Sequence, residues 1–302
     1  GNAGNVKITA GTIEMSGMDE NGFSSAILTI SERGSSGFAG DISIKADNLQ
    51  IADGAVIAAT TFNASDSGDI FINTKNFEAI NGGQVVSATR NSGNAGTINF
   101  INSTGNIKIS GFDPNFQQEL DRAREFIKNN PSTRFEEVSE IVINEGANSG
   151  IFANTARDST GDGGIINLQG NSISINNGAQ ISAQSLGTKK AGNINITLGN
   201  ILQADNGEIV TTSEKSSGGA IKIRAKDIRL SGDSDIATNV FSGEGGGDIT
   251  IDANTIIALD DSDILSFAGD GKGGNITFNT LAFFSKPLYN PSSSNNSNAF
   301  AL

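Results

Sequence analysis

Carboxylates set into glycine-rich turns carry the most chemistry in this chain. "GEGGGDITI" at 243–251 has the form of one calcium-binding nonapeptide, and "DDSD" at 260–263 puts three carboxylates into four residues. Oxygen-rich turns of this kind suit a hard cation. A calcium roll, however, needs such nonapeptides in tandem, and neither string is followed by a second copy. Asp41, Asp69 and Asp248 form another set, each directly after a glycine. Carboxylates paired at glycosidase separation, or a calcium cluster with Arg or Lys as base, would make a polysaccharide hydrolase or lyase. At the equivalent positions between them stand Thr97, Asn193 and Ala220. The three aspartates therefore read as solvated turn residues, and no row of acids on neighbouring repeats beside an Arg is expected. The glycine strings near 243–247 precede strands rather than helices, so they cannot seat a phosphate on a helix N-terminus. The chain contains no His, Cys or Trp. That excludes a Ser-His-Asp triad, an imidazole metal site, thiolate chemistry and disulfides. The expectation is a non-enzymatic chain with no cofactor and no catalytic, cofactor-binding or metal-binding residue.

The elements that hold these turns repeat. The phrase small residue–Gly–x–Ile–x–Ile sets its glycine at 4, 40, 68, 96, 164, 192, 219, 247 and 274, spaced 36, 28, 28, 68, 28, 27, 28 and 27 residues apart. The long interval is one period carrying an insertion of 40 residues. Periods in this range mark solenoids. After each glycine comes strict alternation, as in "DISIK", "NINIT" and "DITID", which buries one face of a strand and wets the other. Aligned repeats stack Ile42, Ile70, Ile98, Ile166, Ile194, Ile221, Ile249 and Ile276 in one file. The file two residues on runs from Ile44 and Ile72 through Phe100 to Phe278. A second strand signal follows about nine residues after the glycine. A third, such as "AVIAAT" or "AQISAQ", aligns Ile57, Val86, Ile151, Ile181, Ile209, Ile236 and Ile264. Two positions later stand the small residues Ala59, Ala88, Ala153, Ala183, Thr211, Thr238 and Ser266, the mark of a corner where backbones approach closely. Asx-Gly pairs at 53–54, 81–83, 176–178 and 205–207 supply left-handed corners before the third strand.

One such repeat cannot bury its apolar face alone; stacking supplies the missing neighbours. The fold expected is all-β: a right-handed parallel β-helix of about nine coils with one helical insertion, spanning residues 1–285. The hand follows from the near-universal handedness of parallel crossovers. A strand spacing of roughly 4.8 Å gives a rod of about 43 Å. A β-sandwich competes weakly, because it does not require homologous strands at a fixed spacing.

Residues 112–143 break the pattern. Asp113-Pro114 reads as an N-cap and first-turn proline, and Asn129, Asn130 and Pro131 as a stop, so a helix is expected over about 114–129. Phe116, Leu120, Ala123 and Ile127 share one face, expected to pack on the flank of the rod. Phe116, Leu120 and Ile127 are the candidate partner contacts; the competing reading is an insertion that covers its own apolar patch. Residues 286–302 read as a polar low-complexity linker or tail, with "LAFFSKPLY" capping the last coil or forming a binding patch.

The net charge of −13 disfavours nucleic acid and anionic lipid as partners, and no apolar run is long enough to span a membrane. The phrase "GGxIxIxAxxLxLxxGAxISAxTxGxGxAGxIxI" is nearly spelled by residues 164–196 and 40–72, with "SGIFANT" at 149–155 and "DDSDILSFAGDGKGGNITF" at 260–278. It resembles the haemagglutination-activity-type repeats of filamentous haemagglutinin-like exoproteins of two-partner secretion systems. The resemblance covers most of 1–285 and leaves out the helical insert. It implies an adhesin-like segment, secreted or attached outside a Gram-negative outer membrane and exported through an outer-membrane transporter partner. Its implied contacts are host or neighbouring cell surfaces or glycans. The alternatives are a carbohydrate-active β-helix enzyme and a structural spacer without ligand.

Overall fold

The computed structural model describes residues 1–101, 104–132, 136–137, 139–141, 145–243, 245–286 and, as backbone, 299–301. Strand accounts for 51% of the chain and helix for 7%, in a β-solenoid of about nine turns. Every pairing between named strands is parallel and joins a strand to its equivalent one coil away. Two sheets result. One holds the first and second strands of each coil, continuous in Ile42–Ala52, Ile70–Ile80, Ile249–Leu259 and Ile276–Lys286 and split in the coils between. The other holds the third strands, from Ala26–Ser31 to Ile264–Ala268, with Ala299–Ala301 paired beyond it. Apart from residue 286 and that short strand, the expected tail lies outside the described residues.

The core is the space between the sheets. Ile42, Ile70, Ile98, Ile166, Ile194, Ile221, Ile249 and Ile276 pair residue on residue in unbroken register. All but the last are fully buried. Burying one such side chain is worth about 1.5–3 kcal/mol, so seven in one file dominate the local energetics.

The third-strand file needs one correction. Ile57 pairs with Val85, not Val86, and Val85 pairs with Ile151. Val86 opposes Ala58 and points to the other side of the sheet. The small-residue file shifts with it, so Ser87 rather than Ala88 follows Ala59. "QVV" offered two adjacent valines, and a one-residue slip reverses every side chain on a strand. Val86 belongs instead to a second buried cluster on the outer face with Val56, Ala58, Phe62, Ala88, Phe152 and Ile141.

The glycines of the repeated phrase have a single cause. A Cβ at Gly68, Gly96, Gly164, Gly192, Gly219, Gly247 or Gly274 would overlap the carbonyl oxygen of the equivalent glycine one coil before. The small-residue file closes the same corner from inside: Ser87, Thr211 and Thr238 donate to the carbonyls of Gly68, Gly219 and Gly247 at 3.0, 3.0 and 2.7 Å. At the opposite corner Asp53, Asn81, Asn177 and Asn206 take φ of 52, 51, 56 and 53°, the left-handed conformation that short polar side chains tolerate. Among the described residues no helix is long and apolar enough to cross a membrane.

Candidate functional site

In-register stacking turns each outward position into a row along the rod. Glu14, Gln50, Glu78, Lys108, Ser174, Gln203 and Arg229 make one row over seven successive coils. Beside it Thr12, Asn48, Asn76, Asn106 and Ser172 make a second. The two rows border shallow troughs of about 320 and 390 Å³ that share Asn76 and Glu78. Neighbours in the rows bind one another: Gln50 Nε2 donates to Glu78 at 3.2 Å, Lys108 Nζ lies 3.5 Å from Glu78, and Asn76 Nδ2 donates to Asn48 at 2.9 Å. On the first strands Asn195, Asn167 and Asn99 form an amide ladder with both steps at 2.9 Å. The half-exposed Phe71 ends that row, and Ile101 stands beside it, 55% exposed. The troughs can hydrogen-bond a ligand lying along the axis, one coil per step.

The acids fall into three arrangements. Asp41, Asp69 and Asp248 are not merely solvated: each Oδ1 accepts the backbone N–H of the equivalent residue one coil on, Asp69, Thr97 and Asn275, at 2.9, 2.7 and 2.7 Å. They hold strands together. A row of acids, with no Arg acting on it among the described residues, occurs at the start of the third strands. Glu208 pairs with Asp235, and Asp235 Oδ1 accepts the N–H of Asp263 on the next coil at 3.1 Å. Burial pushes the Asp235 carboxyl up to about 6, with Asp263, Asp233 and Glu208 adding repulsion and the Asp263 N–H opposing. Burial raises Glu208 as well. Residues 260–263 thus contribute to an acidic row, but among the described residues no three carboxylates are grouped to hold a metal ion. The nonapeptide-like string at 243–251 includes residue 244, outside the described residues.

The third arrangement lies where the insertion leaves the rod. Its neck is pinched by Asp113 N–H to Ala147 O and Ser149 N–H to Gly111 O, both 2.9 Å. Helix α1 spans Phe116–Asn129, two residues shorter at its start than expected, because Asn115 is the N-cap. Asp113 instead spends Oδ1 on the N–H of Asn115 at 2.8 Å in the preceding turn. The helix packs on the first coil: a Cβ at Gly22 would overlap Glu119 O, and Phe126 meets Phe23 edge-on at 5.4 Å. Ala123 is buried, whereas Phe116, Leu120 and Ile127 are half-buried beside that contact. The docking stripe therefore runs through Glu119, Ala123 and Phe126. Beyond α1, helical residues at 136–137 and 139–141 carry Ile141 into the outer cluster. They are fastened by ions: Arg90 to Glu145 at 3.3 Å, fully buried, and Arg33 to Glu140 at 2.5 Å. Glu145 also accepts Asn154 Nδ2 at 2.6 Å, and Glu137 accepts the Arg33 N–H at 2.7 Å.

Under the start of α1 sit three carboxyls that the repeat pattern did not bring together. Asp113 Oδ2 and Glu119 Oε2 are buried and receive no donor among the described residues. They satisfy each other only if one holds a proton. Burial, then the bond to Asp113 and its charge, push Glu119 up to about 7, with Asp53 adding repulsion and Arg122 opposing. The sequence signal for this was Glu119 itself, an acid four and seven residues before Ala123 and Phe126 on one stripe. No protein-family model, no curated protein and no solved structure matches this chain.

Proposed function

We propose that the chain is a non-enzymatic, adhesin-like segment of a secreted or surface-attached exoprotein. Its in-register shaft presents polar rows to extended glycans on host or neighbouring cell surfaces. The observation that carries this reading is the pair of outward rows, continuous over coils and bordering joined troughs. Strand spacing repeats each hydrogen-bonding group every roughly 4.8 Å, close to the length of one sugar residue in an extended chain. Contacts at each step are weak, and their number along one polymer supplies the avidity. The row carries two acids, Glu14 and Glu78, and two cations, Lys108 and Arg229, so it has no net charge, which favours a neutral polymer over a polyanion. The resemblance to filamentous haemagglutinin-like repeats supports the same reading, with export through an outer-membrane transporter partner and residence outside a Gram-negative cell. A glycan array probed with the whole chain tests it. Binding to neutral polysaccharides should fall when Glu78→Ala and Gln203→Ala are combined, and equal binding by that variant would contradict the reading. No binding to any glycan would leave the shaft a spacer.

A second reading, a polysaccharide hydrolase or lyase, draws on one observation: a carboxyl raised to about 7 beside two further carboxyls, the pairing that acid–base chemistry needs. Both facing oxygens lie buried beneath α1, so a substrate would have to displace the helix. Turnover in a reducing-sugar or unsaturated-product assay, lost in Glu119→Gln, would establish it over the adhesive reading.

A further inference from the structure

Independently of what the rod binds, we propose that Asp113 and Glu119 form a proton-operated latch that docks α1 on the first coils in acid and loosens it toward neutral pH. The geometry comes first. Asp113 Oδ2 and Glu119 Oε2 are both buried, and among the described residues neither has a donor. One carboxyl belongs to the neck of the insertion and the other to the helix, and the corner of the second coil contributes Asp53. Asp53 already accepts Asn81 Nδ2 at 3.0 Å, and Asp113 already accepts the Asn115 N–H, so neither supplies a donor. Arg122, on the helix itself, is the cation acting on Glu119. The first-coil turn under the helix adds two more acids: Asp19, whose carboxylate accepts the N–H groups of Asn21 and Phe23 at 2.9 Å, and the exposed Glu20.

With a proton between them, the two oxygens form one hydrogen bond and the cluster carries one charge fewer. Without it, two buried carboxylates face each other beside a third. The sign follows. The docked state holds the proton more tightly than the undocked helix, whose Glu119 returns to an ordinary carboxyl range. Docking is therefore full below that range and is lost as pH rises through about 7. The chain has no histidine, so a near-neutral transition at this place cannot come from an imidazole. The far half of the insertion is held differently, by the ion pairs Arg90–Glu145 and Arg33–Glu140 and by Glu137, which accepts the Arg33 N–H and whose carboxyl is raised by burial. Loosening at this latch acts on α1, and it turns the half-buried Phe116, Leu120 and Ile127 outward as an apolar face.

Hydrogen exchange on the whole chain, corrected for the intrinsic pH dependence of exchange, reads the latch directly. The opening constant of peptides covering α1 and of the Gly22 turn should rise roughly tenfold per pH unit between pH 5 and 7. Peptides covering the first strands at Ile165–Gly170 and Asn193–Leu198, on the sheet opposite Glu208 and Asp235, should not follow. In Glu119→Gln the amide donates to Asp113 at every pH, and the dependence should vanish with the helix docked; Asp113→Asn should behave alike if the first variant misfolds. Asp235→Asn, which removes a raised carboxyl on a distant coil, should leave the α1 profile unchanged. A flat wild-type profile, a slope that survives in both Glu119→Gln and Asp113→Asn, or equal opening throughout the rod would overturn the latch.

Discussion

Two regions of this molecule are stabilised by opposite means. The shaft repeats one apolar contact eight or nine times, so its register rests on aliphatic files and a glycine corner. The insertion repeats nothing. It is fastened by single polar contacts, Arg33 and Arg90 to glutamates and one carboxyl to another, around the small apolar cluster that includes Ile141. Cooperative apolar stacking tolerates local sequence change, whereas a buried ion pair stands or falls with each partner. The shaft should therefore degrade gradually under conservative substitution, and the insertion abruptly and locally.

Val85 and Val86 separate the two regions within one dipeptide. Val85 lies in the internal file and Val86 under the insertion. Val85→Asp puts an unpaired charge in the shaft core and should abolish the cooperative β signal in circular dichroism. Val86→Asp should keep that signal while opening the 112–148 segment to protease. If both variants unfold alike, the regions are one cooperative unit. Next in size is Glu145→Ala, which strands the buried Arg90 charge. A cost of about 3–5 kcal/mol is expected, read as loss of exchange protection in the insertion and coils two to four, with coils six to eight unaffected. A smaller effect is expected at Asp235. Its raised carboxyl, at about 6, gives the shaft stability that is present in acid and lost as pH rises through that value. Asp235→Asn should flatten the pH dependence of the denaturation midpoint between pH 4 and 7, and an unchanged slope would refute the assignment. The smallest belongs to the amide ladder: Asn167→Ala should cost no more than about 1 kcal/mol in denaturant titration, since its neighbours reach water.

The same contrast explains what could be read from the sequence. Periodic information survives in a single chain, so the fold, the register of Ile70 on Ile98 and Ile194 on Ile221, and the Asx corners were legible. The register failed only at "QVV", where two adjacent valines made alternation ambiguous and the deciding fact, a covering insertion, lies elsewhere in the chain. The helix was legible from its stop signals, although its start was misplaced because Asp113 caps a turn before it. The insertion's fastening was not legible. Arg33 and Glu140 are 107 residues apart and Arg90 and Glu145 are 55, with no period to align them. The Asp53–Asp113–Glu119 meeting needed the docking of α1 on the first coil, whose contact takes in Glu119 and Phe126 beside the expected Ala123. The acidic row of Glu208, Asp235 and Asp263 was present in the repeat alignment, one position outside the files chosen as core.

The stacking itself is open to direct measurement, because the chain has no cysteine to compete with a label. Gln169, Thr197, Arg224, Asp252 and Asn279 occupy one outward row on five successive coils. Spin-label pairs from residue 169 to each of the others should lengthen by a constant step of roughly 4.8 Å, reaching about 19 Å at Asn279. Distances that rise unevenly, or that fail to rise with coil number, would contradict the shaft and every row assigned to it.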